Sequence, residues 1–443
     1  MQLFHRQRSY SKRQEHSLKS IDIIWICREP PDVTETIFSH KFCRETSREL
    51  CRENLNLSAW MDIFPEVDKD PKELSSYSLN ALLPREMLNL CNAIAEVQAD
   101  CCLIVSNPEL IISPAAVTKM INTLKKGYSL CLPVYNETDS SCQSARLPAV
   151  YLNLSTYLEV ADMMTKQNKI KLASLFDSDT SCVLLTREFL KSMDINSLPH
   201  RQDKIENTLT LICSACEKGQ SVVDHGALIH SFGNYFNYYS GEREDLAKLV
   251  PESAKFILDV GCANGGFGEV MRKKNAGLHL TGVEMNPVMA EHAALHYDKI
   301  FCEKIENVDF DMLFDHINCG DIIEHLYNPW KMLELFHSLL KKGGTFVTSL
   351  PNAGHWTIVR DLAKGEFVYL PVGLLCVTHI RWFTENSIKK ALTDAGFTID
   401  SFEREQIPPT PQGLDFINYM CKSGKCSRKS LLTNEFTIRA VKK

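Results

Sequence analysis

The sequence predicts an α/β protein of two domains, an N-terminal α/β domain over 21–195 and a C-terminal Rossmann-like α/β domain over 246–443. Three observations carry the prediction. Apolar runs of strand length alternate with segments of helical apolar spacing, and they do so twice along the chain. No internal repeat links the halves, so these are two different domains. The chain has 443 residues, and at roughly 150 residues per domain that length supports two or three cores. A composition 44% hydrophobic and 23% charged is that of a globular chain and excludes a disordered or fibrous one.

The elements follow in order. Residues 1–20 are polar and basic without apolar periodicity and read as a flexible tail. Order begins with the buried strand IDIIWIC from Ile21, followed by a helix-rich segment. LNALLPREMLNLCNAIAEVQ (79–98) has helical spacing, and CCLIVSN (101–107) is a second buried strand. SPAAVTKMINTLKKG is a punctuated helix, with Ser113 as N-cap, Pro114 at its first position and Gly127 as its stop. YSLCLPVY is a third strand, and SCVLLT with REFLKSM closes the domain near 195. The alternation predicts a mainly parallel sheet. Residues 196–245 read as a helical connector containing the polar NSLPHRQDKIEN, one helix and an aromatic cluster within FGNYFNYYSGERED.

Charge and cysteines narrow the function. With 49 Lys and Arg against 55 Asp and Glu, the net charge is −6. No sustained basic stripe is present, which disfavours nucleic acid and anionic membrane as partners and favours a small-molecule or glycan acceptor. No stretch approaches 18 consecutive apolar residues, so no stable membrane span is expected. The N-terminal residues lack the apolar core of a signal peptide, which points to a cytoplasmic protein. The 17 cysteines include Cys101, Cys102, Cys131 and Cys302 in apolar strand-like runs and read as reduced core thiols. Cys213 and Cys216 have CxxC spacing, and Cys421 and Cys426 flank KSGK. The first pair falls on one helix face and the second is too widely spaced for a zinc knuckle, so both pairs are read as core thiols rather than a metal site.

KFILDVGCANGGFGEVMRKKN carries the chemistry: a buried strand (255–260), a glycine-rich turn and a helix. Small residues there let backbone approach a ligand, and the helix start offers unpaired N–H donors. A second strand, LHLTGVE, ends in Glu284, placed to accept hydrogen bonds from both ribose hydroxyls of an adenosine. Two nucleoside cofactors compete. A dinucleotide needs a second glycine for its pyrophosphate, but the run here is Gly261, Ala263, Gly266, with a Cβ in that room. An Asp two residues before the first glycine suits S-adenosyl-L-methionine.

The D-x-G-x-A-x-G run resembles the first motif of the class I S-adenosylmethionine-dependent methyltransferases. Downstream, FDHINCGDIIEHLYNPWKMLELFHSLLKKGGTFVTSLPN resembles that family's fourth strand, its D-x-x-E-H-L segment, the next helix and the fifth strand. Residues 238–403 are similar throughout to a bacterial group, type 11/12-like, often encoded with or fused to glycosyltransferases of surface-polysaccharide synthesis. Cys376 departs from that group, which has Asp in G-L-L-D-x-T-H, so no role passes to this position by analogy.

The resemblance implies that Asp259, Gly261, Ala263, Gly265 and Glu284 bind the cofactor. Glu306 lies where the fold often contacts adenine, with a solvated surface Glu as the equal alternative. Asp321 faces the crevice at the end of the fourth strand. Glu324 and His325 follow, and His325 has the pKa range of a general base on a hydroxyl; its alternative is a histidine bonded to backbone. Asp321, Glu324 and His325 are thus the candidate catalytic residues. They also match by position the acidic-x-x-Glu-His segment of ubiquinone-pathway O-methyltransferases, which implies a divalent metal. His355, His379 and Arg381 are candidate acceptor-site residues, while Trp356 and Trp382 either stack on a sugar or belong to the core.

In the first domain, ADCCLIVSNPELIISPAAVTKMINTLKKGYSLCLPVYN resembles the nucleotide-sugar half of GT-A glycosyltransferases. Where that family has its metal-binding D-x-D, this chain reads Ser106, Asn107, Pro108, Glu109, which implies a degenerate or metal-independent transferase, or a docking module for biosynthetic enzyme partners. The leading expectation is methylation of a hydroxyl on a sugar, nucleotide sugar or glycan precursor; the alternatives are a quinone-like or other secondary metabolite, and a bifunctional glycosyltransferase/methyltransferase. EFTIRAVKK is expected as a last strand closing the methyltransferase sheet.

Overall fold

The computed structural model describes residues 18–26, 34–52, 54–62, 90, 92–107, 109–137, 140–173, 178–193, 209, 212, 213, 216, 219–232, 241–370, 372–422, 424 and 426–443. The chain forms two compact units, Met1–Pro148 with Tyr157–Gly233, and Ala149–Thr156 with Asn234–Lys443. Among the described residues no helix is long and apolar enough to cross a membrane.

The first unit holds strands β1 (Ile21–Trp25), β2 (Leu57–Asp62), β3 (Cys101–Val105), β4 (Leu110–Ile112), β5 (Leu130–Tyr135), β6 (Ile170–Leu172), β7 (Cys182–Thr186) and β8 (Ser221–Ser231). Its sheet runs β2-β1-β3-β7-β5-β8-β4, with β6 also on β8. β1, β3, β5 and β7 are buried at every position, as apolar runs covered on both faces must be. The sheet is mixed rather than mainly parallel: β7 runs against β3 and β5, and β4 and β6 run against β8. An apolar run covered on both faces reads alike in either direction, so strand sense was not legible.

Within the expected helical connector, Ser221–Ser231 is instead a strand between β5 and β4. Asp224, His225 and Gly226 interrupt its apolar run and disguise it. Asp224 is fully buried and accepts from Thr123 Oγ1 at 2.5 Å and Gly226 N at 2.8 Å, which satisfies a buried polar side chain in mid-strand. The polar segment 196–207 and residues 233–240 of the aromatic cluster lie outside the described residues, as do residues 1–17 of the tail and 79–89 of the expected 79–98 helix.

The helix Pro114–Leu124 forms as expected, with Ser113 Oγ accepting from Ala116 N at 3.1 Å and Gly127 in the left-handed region. Cys101, Cys102, Cys131, Cys213 and Cys216 are buried free thiols, and burial pushes Cys101 and Cys213 up to about 12. Cys302 differs from its expected place in being exposed, at the end of a short edge strand. Cys421 and Cys426 are half-buried and pack against the apolar cluster of Trp356, Ile417 and Leu431.

The second unit carries β9 (Phe256–Val260), β10 (His279–Val283), β11 (Lys299–Phe301), β12 (Phe314–Gly320), β13 (Leu340–Pro351), β14 (Phe397–Gln406) and β15 (Thr433–Lys442), in the order β11-β10-β9-β12-β13-β15-β14. β15 is antiparallel to both of its neighbours; it inserts between β13 and β14 rather than closing an edge. Leu258 of β9 and Phe346 of β13 join one apolar cluster, while the adjacent Ile257 and Val347 join another. Because neighbouring residues of a strand face opposite ways, the sheet is covered on both faces. Such a doubly covered, mostly parallel sheet places ligands at the carboxyl ends of its strands.

Candidate active site

Two groups of residues assemble at the carboxyl ends of the central strands. The first is the turn after β9. Gly261 N and Cys262 N donate to Val283 O at 2.8 and 3.1 Å, tying the turn to β10. Gly261 has φ +72°, and a Cβ there would strike the Ile322 side chain. Ala263 is left-handed at φ +48°, a conformation uncommon outside glycine. Gly265, at φ +96°, caps the helix Gly266–Lys274, and a Cβ on it would lie 2.9 Å from Ala293 Cα. A Cβ on Gly266 would run into the Gly241 carbonyl. The turn is therefore kept thin by packing against its neighbours, which presents backbone rather than side chains at the helix start.

Glu284 ends β10 and is 7% exposed. Its Oε2 accepts from Ala263 N at 3.0 Å and its Oε1 from Asn286 N at 2.8 Å, so one carboxylate joins the turn to the tip of β10. Asp259 lies deeper. Tyr297 OH donates to its Oδ2, and Asn318 Nδ2 donates to Oδ1 at 2.6 Å. Burial pushes this carboxyl up to about 6, against the pull of those two hydrogen bonds. With both oxygens engaged, Asp259 supports the turn from within. Neither Tyr297 nor Asn318 stood out in the sequence, because a lone Tyr or Asn in an apolar segment carries no motif. Glu306 is exposed.

The second group surrounds the end of β12. Asp321 is left-handed at φ +53°, and its N–H donates to Ser349 O at 3.0 Å. Its carboxylate accepts from Arg243 Nη1 at 2.5 Å and from Ser349 Oγ at 2.8 Å. Arg243 also reaches Ser349 Oγ at 2.8 Å and both oxygens of Asp245, at 3.2 and 3.1 Å. Its sequence signal was the charged SGERED run, which falls within the resemblance over 238–403 but was given no site role.

Glu324 sits in the helical turn Ile323–His325 and is 1% exposed, with neither carboxyl oxygen hydrogen-bonded. Burial drives its carboxyl well above the ordinary range, Asp321 and Glu435 add to that, and Arg243 opposes it. Its own carbonyl accepts from Ile380 N and Arg381 N, both at 3.0 Å, which pins the loop 374–382 against the turn. His325 Nδ1 faces Thr378 O at 3.0 Å and His379 Nδ1 faces Leu374 O at 3.1 Å. The two rings meet edge to face at 4.8 Å. Ligand atoms of Glu324, His325 and His379 all lie within 4.8 Å of one another.

The expected substrate residues thus separate. His379 joins Glu324 and His325; burial pushes it down to about 4, so it is neutral at physiological pH. Arg381 clasps the Tyr327 carbonyl through Nε and Nη2 at 3.1 and 2.5 Å. His355 is 1% exposed and caps the helix Trp356–Lys364, beside a small pocket lined in part by Leu152, Thr156 and Pro408; burial pushes it down to about 3. Trp356 is buried in the core. Trp382 packs edge-on against His379 at 5.8 Å and Phe367 at 5.5 Å. Of the three candidate catalytic residues, Asp321 is engaged with Arg243 and Ser349, while Glu324 and His325 stand with His379. Cys376 is buried, with Sγ 3.0 Å from Thr378 Oγ1.

Residues 233–401 match the family model described as "Methyltransferase domain". The chain is similar to a ubiquinone biosynthesis O-methyltransferase of Psychrobacter arcticus, 24% identical over 171 residues that cover 36% of this chain and 65% of that protein. It is also similar to the ubiquinone biosynthesis O-methyltransferase of Coxiella burnetii, 30% identical over 137 residues that cover 29% of this chain and 58% of that protein. It thus spans less than two thirds of these curated relatives. A solved S-adenosylmethionine-dependent methyltransferase from Archaeoglobus fulgidus is 18% identical, with 47% of this chain and all of that chain covered and a TM-score of 0.34.

Proposed function

Residues 233–401 being a methyltransferase domain, we propose that the chain transfers the methyl group of S-adenosylmethionine to a hydroxyl of a sugar, nucleotide sugar or glycan precursor. The observation that carries the cofactor assignment is the thin turn Gly261–Gly265, whose Ala263 N is held by Glu284 at the tip of β10. These residues fit the cofactor: the turn, packed thin against its neighbours, presents backbone rather than side chains at the helix start where the methionine moiety would lie, and Glu284 is the acidic group at the strand tip suited to ribose hydroxyls. S-adenosylmethionine supplies an electrophilic methyl carbon, and the acceptor oxygen displaces its sulfur in line, with the sulfur keeping the C–S electron pair. The protein's share is alignment and proton removal. His325, its Nδ1–H donated to Thr378 O, accepts the hydroxyl proton at Nε2. Asp321, set by Arg243 and Ser349, places negative charge beside the reacting atoms, while burial holds the Glu324 carboxyl toward its neutral form. His379 and Arg381 shape the acceptor side, and Trp382 offers a ring face to a sugar.

A second acceptor class, the phenolic hydroxyl of a quinone-like metabolite, is favoured by the names of the relatives. We assign the first unit to acceptor recognition or docking of biosynthetic enzymes in the cytoplasm. Its GT-A-like reading rests on sequence resemblance, and the end of β3 lacks paired carboxylates: Asn107 Oδ1 is taken by Glu109 N at 2.9 Å, and Pro108 lies outside the described residues. The test is turnover of full-length protein with methyl-labelled cofactor against nucleotide sugars, glycan fragments and catechols. Label in a sugar product supports the leading reading; label in catechols alone moves the assignment to the second.

A further inference from the structure

The second unit includes a short segment from far upstream. Residues Ala149–Thr156 belong to it, while their flanks, up to Pro148 and from Tyr157, belong to the first unit. A polar network holds this segment to the helix Trp356–Lys364. Asn153 Nδ2 donates to Asp361 Oδ2 at 2.5 Å. Ser155 Oγ donates to the Asp361 carboxylate, its two oxygens at 2.9 and 3.0 Å, and accepts from Arg360 Nη2 at 2.7 Å. Asn153, Arg360 and Asp361 are all buried, so these charge-assisted bonds are shielded from water and strong. Asn153 also caps the helix Leu154–Thr165, its Oδ1 accepting from Thr156 N at 3.1 Å, which places the Asp361 carboxylate at the positive end of that helix.

A second set of contacts runs from the same segment to the acceptor side of the site. Leu152 packs on the apolar cluster of Ile358, Leu374 and Leu375, which Trp382 also joins. The Leu374 carbonyl accepts from His379 Nδ1 at 3.1 Å, because a carbonyl cannot donate, and Trp382 lies edge-on to His379. Leu152 thus seats the residue whose carbonyl orients His379. The loop's backbone ties are Leu370 N to Leu375 O and Val377 N to Leu370 O, both at 2.8 Å, with Ile380 N and Arg381 N donating to Glu324 O. We propose that residues 149–156 form a brace for the acceptor side of the active site. Asn153 and Ser155 lock the brace to Asp361, and Leu152 sets the loop that carries His379 and Trp382. These are positioning residues, and they lie upstream of the matched domain at 233–401. The inference rests on the acceptor reading above, because the loop is what shapes the acceptor side; a loop held in place before the acceptor arrives orients it at lower cost.

Hydrogen exchange of the full-length protein tests the brace without any acceptor. Ser155→Ala and Leu152→Ala should each speed exchange at the amides of Leu370, Val377, Ile380 and Arg381 by about 10-fold or more, leaving those of Gly261 and Cys262 in the cofactor turn unchanged. Ser155→Thr keeps the hydroxyl and should retain the parent's protection. Ser155→Ala carries the test should Leu152→Ala not fold by circular dichroism. With whichever of the nucleotide sugars, glycan fragments and catechols takes label, both Ala variants should raise KM for that acceptor about 10-fold while kcat stays within about threefold. Unchanged protection of the loop in the folded variants overturns the proposal, as does an equal loss of protection in the loop and in the cofactor turn, or a fall in kcat with KM unmoved. S-adenosylhomocysteine titrated into the parent protein separates this inference from the reading beneath it. Absence of binding there sinks the methyltransferase reading, whereas binding with an unmoved loop sinks the brace alone.

Discussion

Gly261 bears two constraints at once, a left-handed φ of +72° and the Ile322 side chain in the place of its Cβ. Gly261→Ala should therefore lower stability by about 2–3 kcal/mol, from strain of about 1 kcal/mol and the rest from the clash. Adding Ile322→Ala relieves the second part and not the first; urea unfolding of the single and double variants measures the split. Recovery of all the lost stability in the double variant would contradict the role given to the backbone. Arg243 is a different case, because its fork engages Asp321, Ser349 and Asp245 together. Its side chain is 28% exposed and that of Asp321 37%, so solvent weakens the pair, and Arg243→Ala should cost about 1–2 kcal/mol. Arg243→Lys keeps the charge but cannot reproduce the fork, and should fall short of the parent by both stability and turnover.

The helix Glu385–Asp394 is tied to β14 by Glu385, which accepts from Arg404 Nη2 at 2.5 Å and Nε at 2.8 Å, and from Lys389 Nζ at 2.5 Å. Hydrogen bonding from Arg404 first, then from Lys389, pulls this carboxyl down to about 2. In the unfolded chain a Glu titrates near about 4.3, so the folded state binds fewer protons here. The stabilisation is complete above about pH 5 and drains as pH falls toward 2, by about 1–2 kcal/mol after allowing for partial exposure. Glu385→Gln should flatten the pH dependence of unfolding across that window, and an unchanged slope would show the ion pair to be idle.

The same scale shows what the sequence could carry. The strand, turn and helix over 255–274 were legible because a buried run, glycines and a helix start are local signals. β8 was not, since a satisfied buried Asp224 looks like a loop until Thr123 is beside it. Nor was the insertion of β15 between β13 and β14, which depends on pairings across the sheet. The grouping of His379 with Glu324 was likewise closed to reading by spacing, because only the folded loop 374–382 brings them together.

At the scale of the whole molecule, the second unit holds both groups of site residues at the carboxyl ends of one doubly covered sheet, and the proposed function turns on the cofactor assigned to them. The most direct measurement is calorimetric titration of the full-length protein with S-adenosylhomocysteine, beside Glu284→Ala and with NAD as control. Glu284 joins Ala263 N to the tip of β10, so the expected result is saturable one-to-one binding in the parent, a loss of about 10-fold or more in the variant (~1.4 kcal/mol or above), and none with NAD. Thermal unfolding of both proteins shows whether the variant remains folded. Binding of NAD in place of S-adenosylhomocysteine, or equal affinity for S-adenosylhomocysteine in the folded variant, would contradict the assignment of the turn and of Glu284.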